Sequence, residues 1–234
     1  MDQAGDATLG IPVIEPSGID ASEEASPPNL VNLVTTSVTA MIRQRQLRGG
    51  HSIVEAKLAA QLGVSRTPLR EGLQRLEGEG LVIKGSGRSF VVRHVDLGEY
   101  LQSLKVREIL EPEAAEAAAG HIPDAEIAAV RREIAGLQAG STSLHTDAHW
   151  QSDDALHELF ARNSGNDVLA QVIRRLRVTT RLFEIARLQD RVAPDLREHA
   201  QILDALESGD GKAARKATQA HIRSLQRFAL ATVR

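Results

Sequence analysis

Apolar residues recur at helical spacing along most of this 234-residue chain. Leu30, Val31, Val34, Val38, Met41 and Ile42 repeat every three or four positions, which predicts a helix from Asn29 to about Leu47, stopped by Gly49 and Gly50. A short second helix is expected from about Val54 to Leu62, closed by Gly63, a residue suited to a left-handed cap. Ser65 offers an N-cap for a third helix, with Pro68 tolerated in its first turn and Leu69, Leu73 and Leu76 on its buried edge. Two helices meeting at so tight a glycine corner make a helix-turn-helix. The pattern then changes to two short strands, LVIK and SFVVR, around GSGR, a flexible hairpin of wing size. From Asp96 onward only helical periodicity is present, over about 97–118, 123–138, 147–163, 166–188, 194–208 and 211–232. The expected fold class is therefore mostly α: an N-terminal winged helix-turn-helix over 29–95 and a C-terminal all-helical antiparallel bundle over 96–234.

Composition adds three constraints. Residues 1–28 mix Pro, Gly, Ser and acids without periodicity, so a flexible acidic tail is expected there. Cysteine is absent, which excludes disulfides and thiolate metal sites. No segment approaches the ~18–20 apolar residues of a membrane span, and MDQAGDATLG lacks the basic and apolar regions of a signal peptide. A soluble, cytoplasmic protein with no membrane partner is the expectation. The net charge of −3 conceals a sharp division: −6 over residues 1–28, +6 over 29–95 and −3 over the remainder. A compact basic segment in an acidic chain suits a polyanion, because phosphate neutralisation supplies most non-specific affinity for nucleic acid.

Within that basic segment, Arg66 and Arg70 stand at i and i+4 in the first turns of the third helix and share a face. In a helix-turn-helix such positions meet base edges in the major groove, where arginine prefers guanine, while Ser65 and Thr67 are placed for phosphates. Taken alone, two arginines are more simply read as a solvated pair. The run VEAKLAAQLGVSRTPLREGLQRLEGEGLV, continuing to GSGRSFVV, resembles the winged-helix domain of the GntR family of transcription factors. The resemblance implies binding to a double-stranded DNA operator by Arg66 and Arg70, with Ser65 and Thr67 at phosphates and Gly87 of the wing reaching toward the minor groove. Two positions depart from the family pattern. Ala56 stands where a basic residue is frequent, with Lys57 beside it, and Gly72 replaces a frequent alanine at about 1 kcal/mol of helix propensity.

The stretch HTDAHWQSDDALH spaces His145, His149, Asp153 and His157 four residues apart, which by itself reads first as solvated or locally paired polar residues and second as part of a metal site. Asp153 shares a stripe with Leu156 and Phe160, so its carboxylate needs a cation or a tight hydrogen-bond network. His199 lies among Leu196, Ile202, Leu203 and Leu206, and His221 shares a stripe with Ala214, Ala217, Leu225 and Phe228. Both histidines point inward. One carboxylate and three imidazoles from three helices suit a divalent transition metal such as Zn, Ni or Mn, with satisfied core histidines as the competing reading.

From about Asp96 the chain is similar to the all-helical FCD effector domain of the FadR branch of the same family, on VREILEPEAA, DDALH, ARNSGN, REHAQI and QAHIRS. That resemblance implies Asp153, His157, His199 and His221 as metal ligands and a small carboxylate as effector. His145 and His149 have no counterpart and are expected to be polar helix residues or partners of the ligands. Arg107 matches an arginine of the family's ligand pocket and suits a bidentate carboxylate contact, with an i+4 salt bridge to Glu111 as the equal alternative. Arg174, Arg177 and Arg181 are weaker effector candidates, most of them expected on a solvated face. The function expected is transcription regulation, as a repressor, by a homodimer whose two recognition helices read two half-sites. The alternatives are a metal-dependent hydrolase using the Asp/His3 set, for which no HExxH element is present, and a regulator whose metal is purely structural.

Overall fold

A computed structural model describes residues 29–87, 89–140, 142, 144–187 and 191–232. The tail expected over 1–28 and Arg88 of the wing lie outside the described residues.

The N-terminal part runs α1 (Leu30–Arg43), β1 (Ser52–Ile53), α2 (Glu55–Leu62), α3 (Arg66–Glu79), β2 (Val82–Lys84) and β3 (Phe90–Val92). Asn29 caps α1 by accepting the Asn32 N–H at 3.1 Å. The helix ends four residues before the expected Leu47, because the chain turns left-handed at Arg45 (φ 61°) and folds Leu47 back toward the core. Gly63 takes the expected left-handed cap (φ 65°) between α2 and α3. Ser65 occupies the N-cap of α3, but its side chain makes no cap hydrogen bond. The two-residue β1 was not expected; so short a strand carries no periodicity, and its pairing with β3 is purely tertiary. The resulting antiparallel sheet has the order β1-β3-β2.

Gly72 is explained by packing rather than propensity. A Cβ there would stand 2.5 Å from Cγ1 of Val34, so α1 and α3 approach closely only because this position has no side chain.

The bundle contains α4 (Leu97–Ala118), α5 (Asp124–Ala139), α6 (Asp147–Arg162), α7 (Asp167–Arg187), α8 (Val192–Glu207) and α9 (Gly211–Thr232). α8 starts two residues earlier than expected, since Val192 is buried and Pro194 is compatible with a first turn. α4 is the central helix and packs along α9, α7 and α6.

Two apolar cores result. One joins Leu156, Phe160, Ile173, Ile202 and Leu206 inside the bundle. The other begins in the winged helix with Val34, Leu69, Leu73 and Leu76 and continues without a break into Tyr100, Leu182, Phe183 and Leu225 of the bundle. Tyr100 stacks on Phe183 with ring centroids 4.3 Å apart. No described helix is long and apolar enough to cross a membrane.

Candidate metal centre and DNA-reading helix

Three helices of the bundle bring Asp153 and His157 (α6), His199 (α8) and His221 (α9) to one point, each offering a ligand atom within 4.8 Å of the others. The three imidazoles are buried, with ring centroids 4.7–5.6 Å apart. His157 Nδ1 is 2.8 Å from Glu111 Oε2, and His221 Nδ1 is 2.8 Å from Glu198 Oε2. A carboxylate only accepts, so each of those Nδ1 atoms carries the proton and each Nε2 presents a lone pair inward.

Nε2 of His157, His199 and His221 are all buried without a hydrogen-bond partner among the described residues. Burial depresses all three imidazoles: His199 and His221 fall to about 4, and His157 goes well below its usual value, with Arg177 as a further cause. They are therefore neutral and basic toward a cation at neutral pH. Unanswered buried lone pairs converging with a carboxylate are what a metal fits, and a core of satisfied histidines does not show them.

Asp153 divides its charge. Oδ1 faces His199 Nε2 at 3.3 Å and His157 Nε2 at 3.7 Å, while Oδ2 receives Arg177 at 2.6 Å and also Arg181. These arginines supply the partner that the sequence demanded for a carboxylate on an apolar stripe. The solvated face expected for them is thus corrected for Arg177 and Arg181, which are buried, and holds for Arg174, exposed beside Glu158.

Arg107 is almost wholly buried and bonds Glu111 at 2.6 and 3.3 Å and Thr180 Oγ1 at 2.8 Å. The i+4 salt bridge is therefore present, and Arg107 also lines a cavity with His149, Trp150, Ser152, Asp153 and His199. Burial would raise the Glu111 carboxyl, but Arg107 and His157 hold it well below the usual range. Neither His145 nor His149 joins the four-ligand cluster. His149 Nδ1 accepts the Thr146 N–H at 3.1 Å and closes the α6 N-terminus, while His145 stacks on Trp150 at 4.3 Å and contacts Asp195.

Glu111 and Glu198 were missed as supports of the ligands. The sequence places them beside Arg107 at i−4 and His199 at i+1, but their bonds to His157 and His221 cross between helices.

At the other end of the molecule, Ser65, Arg66, Thr67 and Arg70 are all exposed at the N-terminus of α3. Arg70 reaches Glu55 of α2 at 2.7 Å and remains half exposed. Ala56 and Lys57 are exposed on α2, and Gly87 turns the wing with φ 72°. This is a solvent-facing helix start without a side-chain cap among the described residues, carrying two arginines, one of them paired with Glu55.

Residues 30–92 match the bacterial regulatory proteins of the gntR family, and residues 102–224 match the FCD domain. The chain belongs to the GntR family of transcription regulators. Its relatives include an HTH-type transcriptional regulator in an unstable DNA locus of Streptomyces ambofaciens, 28% identical over 79% of this chain and 78% of that one. The Nta operon transcriptional regulator of Aminobacter aminovorans is 34% identical over 54% of this chain and 60% of that one. Among solved structures, E. coli McbR/YncC has the same fold, with a TM-score of 0.73 at 18% identity, covering 88% of this chain and 99% of that one. This GntR regulator thus joins a DNA-binding winged helix to an FCD effector domain. The hydrolase alternative finds no support among relatives that are transcription regulators.

Proposed function

We propose that Asp153, His157, His199 and His221 hold a divalent transition metal, Zn, Ni or Mn, and that a small carboxylate docking there sets operator affinity. The reading is carried by one observation: three buried imidazole Nε2 atoms, without hydrogen-bond partners among the described residues, converge with a carboxylate oxygen. The ion, when bound, supplies a Lewis-acid anchor for a carboxylate oxygen. Arg107, on the wall of the adjoining cavity, supplies the cation that orients the acid. Ser65, Arg66, Thr67, Arg70 and Gly87 carry the operator contacts, and repression by a cytoplasmic homodimer completes the reading.

A route between the two ends supports the coupling. Asp154, next to Asp153, accepts Arg177 at 2.7 Å, Arg181 at 3.1 Å and Arg43 of α1 at 2.9 Å. Arg177 and Arg181 therefore hold Asp153 of the cluster and Asp154, which grips the winged helix, at once. Asp153 would lend its carboxylate to a cation held there, and Arg177 and Arg181, which it shares with Asp154, are the groups through which a change in its charge would reach Arg43. That gives the two ends a shared charged element, through which coupling would run.

The test is metal analysis of the purified protein with a mobility-shift titration of its operator, with and without small acids. Stoichiometric metal, lost in His199→Ala together with any acid response, is the expected result. Full metal occupancy in that variant would overturn the ligand assignment, and an acid response that survives metal removal would leave the ion a structural role only.

A further inference from the structure

Two polar atoms near the cluster have no assigned use. His149 Nε2 and Ser152 Oγ are buried, at 5% and 3% residue exposure, and neither has a hydrogen-bond partner among the described residues. They stand three apart on α6, hence on one face, and both line the cavity that Asp153, His199 and Arg107 also line. The state of His149 follows from its other nitrogen. Nδ1 accepts the Thr146 N–H, so it holds a lone pair and the proton resides on Nε2. The α6 cap therefore aims a fixed N–H donor into the cavity, about 6 Å of helix rise before Asp153.

The charges of the cavity add a second argument. Arg107, Arg181 and Arg191 balance Asp153, Glu184 and Asp195 on its wall. A divalent ion at the cluster tips that balance by two positive charges, which matches a dianion better than a monoanion.

We propose that His149 and Ser152 form a second ligand-contacting site, one turn from the metal cluster, and that the effector is a short dicarboxylate whose far carboxylate accepts from both. The inference rests on the metal-and-acid reading given above. The cavity volume, about 20 Å³, is little more than a water needs. A diacid must therefore be short, and Arg181 would have to draw back from Asp153 to admit it, keeping its contacts to Asp154 and Glu184.

Calorimetric titration of the zinc-loaded full chain with acetate, propionate and butyrate against malonate, succinate and glutarate tests this. One diacid should bind at least tenfold tighter than every monoacid. Ser152→Ala, a near-isosteric change, and His149→Asn, which keeps an acceptor where Nδ1 sits but ends short of Nε2, should each weaken that diacid about tenfold. Acetate affinity should stay within twofold and zinc content unchanged. Diacids binding no tighter than monoacids, or variants that weaken acetate and diacid alike, would overturn the second site while leaving the metal-and-acid reading intact. No acid binding by fully zinc-loaded protein would overturn both.

Discussion

The two ends of this regulator treat charge in opposite ways. On α3, Arg66 and Arg70 stand in water, and among the described residues only Glu55 answers one of them. In the bundle, Arg107, Arg177 and Arg181 are buried, and each is answered by Glu111, Asp153 or Asp154. Exposed cations are inexpensive to leave open and so can wait for a partner as large as DNA. Buried charges must be answered within the fold, and whatever stays unanswered there marks the place of a ligand. The three Nε2 atoms of the cluster are such a remainder.

The comparison is most severely tested by His199→Ala. A ligand bound only to the folded state at 100 times its Kd stabilises by about 2.7 kcal/mol, so losing the ion should lower Tm by several degrees and abolish bound metal together with the acid's effect on operator affinity. Calorimetry, metal analysis and the operator titration read these. Gly72→Ala sharpens the contrast from the packing side. Helix propensity alone predicts a gain of about 1 kcal/mol, whereas the clash with Val34 predicts a net loss within the 1–3 kcal/mol typical of overpacking, and a urea melt gives the sign. Arg70→Ala should weaken operator binding by about 1–3 kcal/mol if it reads a guanine, with melting temperature and metal content unchanged. The smallest effect belongs to the route between the ends. Arg43→Ala should leave metal and acid binding intact but alter the acid's effect on operator affinity by about 0.5–2 kcal/mol, and an unchanged response would sever the proposed path.

The pattern of apolar positions was enough to place the bundle helices to within two residues, because amphipathic periods of 16 to 22 residues report a buried face directly. It failed where length or local signal was small. β1 has two residues and exists only through β3, and α1 stopped early because Arg45 adopts a left-handed turn that no residue type announced. The inward stripes of Asp153, His157, His199 and His221 were likewise readable one helix at a time.

The sequence by itself determined which faces turn inward and which helix end is basic, since both depend on residue type at fixed local spacing. Only the tertiary structure decided that Glu111 and Glu198 orient two of the imidazoles, that Arg177 and Arg181 are buried on Asp153, and that Asp154 reaches Arg43. Those pairs join residues 23 to 111 positions apart, and periodicity within a helix carries no record of which helix will lie beside it.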